Sequence, residues 1–112
     1  MDRLTHTTIS PVEAKRMIDA NHLRFHILDV RTIEEFREGH LQGSIHLDFY
    51  KDSFRKQLEK HDRHSAYLIY CRTAHRSAVV MSMMREMGFS KVYNLGGGIL
   101  DWKSKGFPVV EG

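Results

Sequence analysis

The chain has 112 residues, of which 41% are hydrophobic and 28% charged, a composition typical of one soluble globular domain. The formal net charge of +3 is compatible with an anionic substrate but too small to indicate nucleic-acid binding, and no apolar run is long enough to span a membrane. The single cysteine, Cys71, excludes an internal disulfide, a zinc site with several cysteines and a C-x-x-C redox pair.

The N-terminal residues 1–10 are polar and contain no apolar segment of the kind that signal peptides carry. We therefore expect a cytoplasmic protein whose partners include neither membranes nor nucleic acids. The chain also contains no internal repeat and no linker, so residues 1–112 are predicted to form a single domain.

The predicted elements alternate between helix and strand. Two helices begin at capping boxes, where Ser10 and Thr32 are each followed by a glutamate three residues later. Apolar residues at helical spacing predict the inward-facing sides of helices, and short apolar runs predict strands. In chain order we expect helix 11–20, strand 25–30, helix 32–39, strand 44–47, helix 50–60, strand 66–70, helix 76–87, strand 91–95 and helix 99–105.

Strands that alternate with helices are typical of an α/β fold, here an open and mostly parallel sheet with helices on both faces. The nearly continuous apolar run 66–70 predicts the central strand. Ligands of such sheets bind at the carboxyl ends of the strands, and Cys71 lies at one of these ends. The helix residues predicted to pack in the core are Ala14, Met17, Ile18, Phe54, Leu58, Val79, Val80, Met83, Met84 and Met87.

Cys71 opens the segment that carries the candidate chemistry, Cys-Arg-Thr-Ala-His-Arg-Ser. A cysteine that ends a strand is often a small core residue, but a short loop and a helix N-terminus follow this one. Backbone N–H groups of the loop and helix, with the charges of Arg72 and Arg76, are predicted to lower the thiol pKa and favour the nucleophilic thiolate. The same donors suit a small oxyanion, and His75 at the rim either contacts a substrate or faces water.

Four segments, in order, resemble the signatures of the rhodanese family: residues 28–31 with Glu35-Phe36, residues 39–45, residues 70–77, and Gly97-Gly98 with Trp102. The resemblance implies an open α/β sheet and transfer of sulfane sulfur through a persulfide on Cys71. It also implies a loop that surrounds the persulfide and the anionic donor, formed by Arg72, Thr73, Ala74, His75, Arg76 and Ser77.

Ala74 departs from the family pattern, since many members carry glycine at this position. A left-handed conformation would cost an alanine about 1 kcal/mol, so either the loop is slightly reshaped or Ala74 keeps a negative φ. Both outcomes bear on substrate preference and neither on the nucleophile.

The reaction implied by the resemblance begins with attack of the Cys71 thiolate on thiosulfate or a similar donor, and sulfite leaves. A thiol such as thioredoxin or glutathione, or cyanide in an assay, then takes the sulfur. No metal or organic cofactor is expected. Two other functions stay open: a persulfide-binding or regulatory module with little turnover, and a cysteine-dependent phosphatase.

The spacing of the loop argues against the phosphatase. Four residues separate Cys71 from Arg76, whereas the dual-specificity phosphatases of related fold have five, which makes a ring wide enough for phosphate. This loop also contains no carboxylate that could protonate a leaving alcohol.

Three charged residues near the end of the strand 25–30 are expected to support the loop rather than to react. Asp29 is predicted to accept hydrogen bonds from loop backbone, and Arg31 and Glu35 are predicted to form an ion pair. His40, which follows a helix-ending glycine, is also expected to be structural.

The eight histidines do not predict a metal site. His22 and His26 span a predicted loop and strand, and His61 and His64 lie in a charged loop, so neither pair is expected to bind a metal. The three glycines 96–98 are predicted to form a turn that approaches the loop after Cys71, because no Gly-Lys-Ser/Thr follows them for phosphate binding.

Overall fold

The computed structural model describes residues 4–21 and 25–112. In this part of the chain, strands and helices alternate as predicted. The strands are β1 (Thr5–Ile9), β2 (Phe25–Asp29), β3 (Ile45–His46), β4 (Ala66–Tyr70) and β5 (Lys91–Leu95). The helices are α1 (Pro11–Asn21), α2 (Ile33–Glu38), α3 (Phe54–Glu59), α4 (His75–Glu86) and α5 (Gly98–Ser104).

The strands form one parallel sheet in the order β1-β5-β4-β2-β3, which confirms the predicted α/β fold. The apolar strand β4 lies at its centre, as predicted. Because neighbouring strands run in the same direction, their carboxyl ends share one edge of the sheet. Asp29 ends β2 at this edge, and Cys71 directly follows β4.

Side chains that alternate along β4 build a separate core on each face of the sheet. Tyr67 and Ile69 pack with buried residues of α3 and α4, namely Phe54, Leu58, Val80 and Met84. Leu68 and Tyr70 pack on the opposite face with residues of α1 and α5, namely Ala14, Ile99 and Trp102. The prediction of helices on both faces is therefore confirmed.

β1 is a correction to the sequence prediction, which has no strand before the first helix. Its residues are mostly polar, and only Ile9 among them is buried. β1 lies at the edge of the sheet, paired with β5 from Thr5–Lys91 to Ile9–Leu95. Local composition could not reveal this strand, because its partner lies near the other end of the sequence.

Both capping boxes are confirmed. The backbone N–H of Glu13 donates to Ser10 Oγ over 3.1 Å, and the backbone N–H of Ser10 donates to Glu13 Oε1 over 3.2 Å. The same reciprocal pair of bonds joins Thr32 and Glu35 at the start of α2. These two helix starts depend only on contacts within one turn, which is why their positions were predictable.

Two helix predictions are wrong in detail. α3 begins at Phe54 and not near Tyr50, because turns occupy residues 49–53 and the Asp48 side chain accepts the backbone N–H of Tyr50. Val79, predicted as a core residue of α4, is 51% exposed. The buried stripe of this helix runs through Ser77, Val80 and Met84, and Val79 lies beside it.

Candidate active site

The sulfur of Cys71 lies within a ring of hydrogen-bond donors. Cys71 is only 1% exposed and follows the central strand, so its position is fixed by the core. The backbone N–H groups of Ala74 and Ser77 donate to Sγ over 3.1 and 3.4 Å. The Ser77 hydroxyl oxygen is also 3.4 Å from Sγ. These groups belong to the loop and first turn of α4, where backbone N–H groups have no helical partner.

These contacts lower the pKa of Cys71. Burial raises the pKa of the thiol, but it is outweighed by the hydrogen bonds that a thiolate accepts from the Ser77 hydroxyl, when its hydrogen points to the sulfur, and from the backbone of Ser77, Ala74 and Thr73. The net pKa lies below the usual range for a thiol, as predicted. The prediction named arginine charges beside the backbone donors. Hydrogen bonds are the larger cause of the lowered pKa, and the charge of Arg76 also interacts with the Cys71 thiolate.

Ala74 adopts the left-handed conformation, with a φ of 93°, and it precedes the first turn of α4. Among the described residues it is the only non-glycine with a positive φ. This conformation accompanies the donation of its N–H to the sulfur, and it costs an alanine about 1 kcal/mol. The alternative of a negative φ at Ala74 is therefore wrong, and a loop reshaped relative to the family stays a prediction.

The side chains of the loop point mostly outward. Arg72, Thr73 and His75 are exposed, whereas Ser77 is completely buried. The loop thus presents backbone to the sulfur and side chains to solvent.

Arg76 is bound to Glu35 of α2. Its Nη1 and Nη2 donate to the two carboxylate oxygens over 2.8 and 2.9 Å. The hydrogen bonds from Arg76 lower the pKa of Glu35 to about 2, against the smaller opposing effect of burial. The guanidinium also lies 5.7 Å from the ring centroid of Tyr50. This bidentate pair ties the start of α2 to the start of α4.

The predicted ion pair between Arg31 and Glu35 is therefore wrong. Arg31 folds back onto Asp29, with Nη2 2.7 Å from Oδ2, and both side chains are buried. Its Nη2 also donates to the carbonyl of Gly39 over 2.6 Å. Asp29 accepts the backbone N–H of Arg31 over 2.9 Å, so it binds backbone of the turn that follows β2, and its support of the loop after Cys71 stays a prediction. The sequence suggested Glu35, one helical turn away, as the partner of Arg31. In the structure Arg31 is buried at the end of β2 and binds Asp29 and the carbonyl of Gly39 instead.

His40 also contacts backbone, as the structural expectation requires. Its Nδ1 lies 2.8 Å from the carbonyl oxygen of Phe36, and the two rings stack with centroids 3.7 Å apart.

The glycine turn meets the loop as predicted. The backbone N–H groups of Ile99 and Leu100, at the start of α5, donate to the carbonyls of Cys71 and Arg72 over 3.0 and 3.2 Å. A Cβ on Gly98 would lie 2.2 Å from the Arg72 oxygen, so only glycine fits there. The loop is held between the starts of two helices.

Sequence reasoning missed Asn94 of β5. The Ser77 hydroxyl donates to Asn94 Oδ1 over 2.6 Å, and Asn94 Nδ2 donates to Thr8 Oγ1 over 3.4 Å. Asn94 is 2% exposed. An asparagine within an apolar strand was the available signal, since a buried amide needs polar partners.

No group of three or more His, Cys, Asp or Glu side chains that could hold a metal occurs within residues 4–21 and 25–112. Of the histidine pairs considered above, His22 lies outside the described residues. The helices in the described part of the chain are all too short or too polar to cross a membrane.

Comparisons with known proteins agree with the fold. The model of the rhodanese-like domain family matches residues 10–105. "Thiosulfate sulfurtransferase GlpE" of Coxiella burnetii is 31% identical over 101 residues, which are 90% of this chain and 91% of that protein. "Putative sulfur carrier protein YrkF" of Bacillus subtilis is 31% identical over 91 residues, and the chain spans about half of its length, 48%.

A solved structure shares the same architecture. The rhodanese-related protein from Thermoplasma volcanium superposes with a TM-score of 0.79 at 25% identity, over 93% of this chain and 97% of that one.

Proposed function

Because the chain belongs to the family of rhodanese-like domains, we propose that it is a sulfurtransferase that acts through a persulfide on Cys71. In this proposal the donor is thiosulfate or a related sulfane compound, and the acceptor is a thiol such as thioredoxin or glutathione. The observation that supports it most is the ring of donors around Sγ, with Ala74 N–H at 3.1 Å and Ser77 N–H at 3.4 Å. Such a ring stabilises negative charge on sulfur.

The first half-reaction loads the protein. The Cys71 thiolate attacks the outer sulfur of thiosulfate, a new S–S bond forms, and the S–S bond of thiosulfate breaks. Sulfite leaves with the electron pair of that bond, and the transferred sulfur carries the negative charge of the new persulfide. The total charge is unchanged, so no proton need move in this step.

The second half-reaction unloads it. An acceptor thiolate attacks the outer sulfur of the persulfide, and the Cys71 thiolate leaves. Cyanide would react in the same way and give thiocyanate. Because the sequence contains one cysteine, no second thiol of the chain can discharge the persulfide, and the acceptor must come from outside. One nucleophile used twice makes the kinetics ping-pong.

Two arginines support binding of the anionic donor in different ways. Arg72 is exposed and makes no salt bridge within the described residues, so its charge is available to a thiosulfate ion. Arg76 already binds Glu35, so its charge is largely balanced and its contribution is to hold the loop. We propose that Arg72 acts mainly on the donor and Arg76 mainly on the shape of the cradle.

Intact-mass spectrometry tests this function. Thiosulfate is expected to add about 32 Da, one sulfur atom, to the wild type and nothing to Cys71→Ser, because a serine hydroxyl stays protonated at neutral pH. Cyanide should then remove the added mass and release thiocyanate in repeated cycles. Sulfur transfer that survives in Cys71→Ser would contradict the mechanism.

Two other outcomes would select the alternative functions. A loaded protein that resists cyanide and every thiol would be a persulfide-binding module and not an enzyme. Hydrolysis of an aryl phosphate faster than the reaction with thiosulfate would indicate a phosphatase.

A further inference from the structure

A buried chain of side chains leads from the sulfur of Cys71 across the sheet. Ser77 Oγ is 3.4 Å from Sγ, Asn94 Oδ1 is 2.6 Å from Ser77 Oγ, and Asn94 Nδ2 is 3.4 Å from Thr8 Oγ1. Ser77 is completely buried and Asn94 nearly so, whereas Thr8 is exposed. The chain therefore connects the nucleophile of the proposed function to the surface at β1.

Which of these side chains donate hydrogen bonds and which accept them depends on whether Cys71 is a thiol or a thiolate. A serine hydroxyl carries one hydrogen, and at 2.6 Å Ser77 donates it to Asn94. Its oxygen is then free to accept the S–H of a Cys71 thiol. A thiolate has no hydrogen to give and needs the Ser77 hydroxyl as a donor. With the amide fixed as it stands, that donation would leave Asn94 Oδ1 buried without a partner.

Asn94 lies between two hydroxyl groups, and each of them can donate or accept. If the amide turns end for end, Nδ2 donates to Ser77, Ser77 donates to the thiolate, and Thr8 donates to Oδ1. All three hydrogen bonds are kept, with every donor and acceptor reversed. The two orientations differ only in which amide atom faces Ser77.

We propose that Asn94 is a positioning residue for Cys71, whose amide turns end for end so that Ser77 accepts from the thiol and donates to the thiolate. The proposal rests on the proposed function only in taking Cys71 as the nucleophile. No bond is made or broken in the turn, and the proton that leaves the thiol passes to solvent.

The thiol pKa, measured from the pH dependence of alkylation by iodoacetamide, tests this proposal without any sulfur transfer. The chain has one cysteine, so the signal is specific. Asn94→Leu removes one hydrogen bond to Ser77 in each state, the acceptor Oδ1 in the thiol and the donor Nδ2 in the thiolate. The bond lost from the thiolate is the stronger, because it belongs to a chain of hydrogen bonds that ends on a charged sulfur, so the pKa of Cys71 is expected to rise by about half a unit. If the amide is fixed and only competes with the thiolate for the Ser77 hydroxyl, the pKa of Cys71 should fall in this variant. If Asn94 only packs in the core, the pKa should not change. Either result would overturn the proposal.

A double-variant cycle shows whether the effect passes through Ser77. Ser77→Ala should raise the pKa of Cys71 at least as much as Asn94→Leu does, and adding Asn94→Leu to it should change nothing further. A further rise in the double variant would contradict the proposed route. Ser90→Ala is the matched control, since Ser90 is also a buried serine. Ser90 lies directly before β5, and its hydroxyl donates to the carbonyl of Arg63.

The charged groups around this edge of the sheet stay the same in every variant, so they cannot produce the difference. They are Arg72 in the loop, His75 and Arg76 on α4, Glu35 on α2, Asp29 at the end of β2, Arg31 after it, and Asp101 on α5.

The wild-type protein provides a measurement that does not depend on the variants folding. The side-chain amide resonances of Asn94 should shift with the midpoint of the Cys71 titration, and this shift should be absent in Cys71→Ser. Amide resonances that stay unchanged while the thiol ionises would refute the turning amide, whatever the outcome of the sulfur-transfer assay.

Discussion

Two strand-to-helix turns lie side by side at the carboxyl edge of the sheet, one from β2 to α2 and one from β4 to α4. In the first, the Thr32 side chain accepts the N–H of Glu35 and closes the helix start with its own residues. In the second, Ala74 stands at the corresponding position and offers no side-chain cap. The N–H groups that a capping residue would satisfy are directed at Cys71 instead. A helix start becomes a candidate active site here because its local cap is absent.

The two turns are joined through Glu35, which belongs to the capping box of the first and binds Arg76 of the second. The turn from β2 to α2, which caps its own helix, thus supports the turn from β4 to α4, which does not. The variants below separate what each turn contributes.

The largest effect is expected from Gly98→Ala, because the added methyl group would collide with the backbone of the turn from β4 to α4. Its Cβ would lie 2.2 Å from the Arg72 carbonyl oxygen, and the backbone φ of 61° is itself unfavourable for alanine. We expect a loss of roughly 3 kcal/mol or more in the free energy of unfolding, and a raised Cys71 pKa, since the loop must shift.

Denaturant unfolding and the alkylation profile measure both quantities. Gly88→Ala is the control, because Gly88 also has a positive φ, 94°, but no atom within 4 Å of the added Cβ. It should lose only about 1 kcal/mol. Equal losses in the two variants would mean that the contact with Arg72 does not hold the loop.

Glu35→Gln cuts the link between the turns and leaves the first one capped, because glutamine also serves in a capping box. Arg76 is the largest cause that lowers the pKa of Glu35 to about 2, and hydrogen bonds from Thr32 contribute less. These contacts stabilise the fold above the unfolded pKa near 4.5, and this stability is lost as the pH falls toward 2. We expect a loss of about 2 kcal/mol at pH 7 that vanishes near pH 2.

Unfolding measured from pH 7 down to pH 2 tests this dependence. Glu34→Gln is the neighbouring control, since Glu34 is exposed, and this variant is expected to be about as stable as the wild type at pH 7. A stability difference between Glu35→Gln and the wild type that does not change with pH would argue against the ion pair as its source.

The smallest effect is expected from Ala74→Gly, which relieves the left-handed strain of the turn from β4 to α4. The φ of 93° is accessible to glycine, so we expect a gain of about 0.5 kcal/mol, after the greater flexibility of the unfolded chain is taken into account. The comparison variant is Ala78→Gly in the body of α4, which should destabilise by about 1 kcal/mol. A destabilised Ala74→Gly would show that the methyl group makes contacts which outweigh the strain.

The two turns also differ in how much of their structure could be predicted from the sequence. Both capping boxes, the central strand β4 and the segment from Cys71 to Ser77 were predictable, because each depends on residues within a few positions of one another. The partner of Glu35 was not, since Arg76 lies on another helix and Arg31 offered a nearer charge of the right sign.

The strand β1 and the role of Asn94 depend on contacts between opposite ends of the sequence. β1 pairs with β5, and Asn94 of β5 reaches Thr8 of β1 on one side and Ser77 of α4 on the other. No local pattern encodes these contacts, and only the order of strands in the sheet brings them together.

The peptide groups of the loop are held from both sides. The first turn of α5 donates to the carbonyls of Cys71 and Arg72, while the N–H groups of Ala74 and Ser77 face the sulfur. Their dipoles are therefore oriented before any donor arrives. In the proposed reaction negative charge passes from Sγ to the transferred sulfur, and it returns to Sγ when the acceptor takes that sulfur. Water molecules would have to reorient at each of these steps, at a cost in free energy. The peptide groups of the loop need little reorientation, because their direction was fixed when the chain folded.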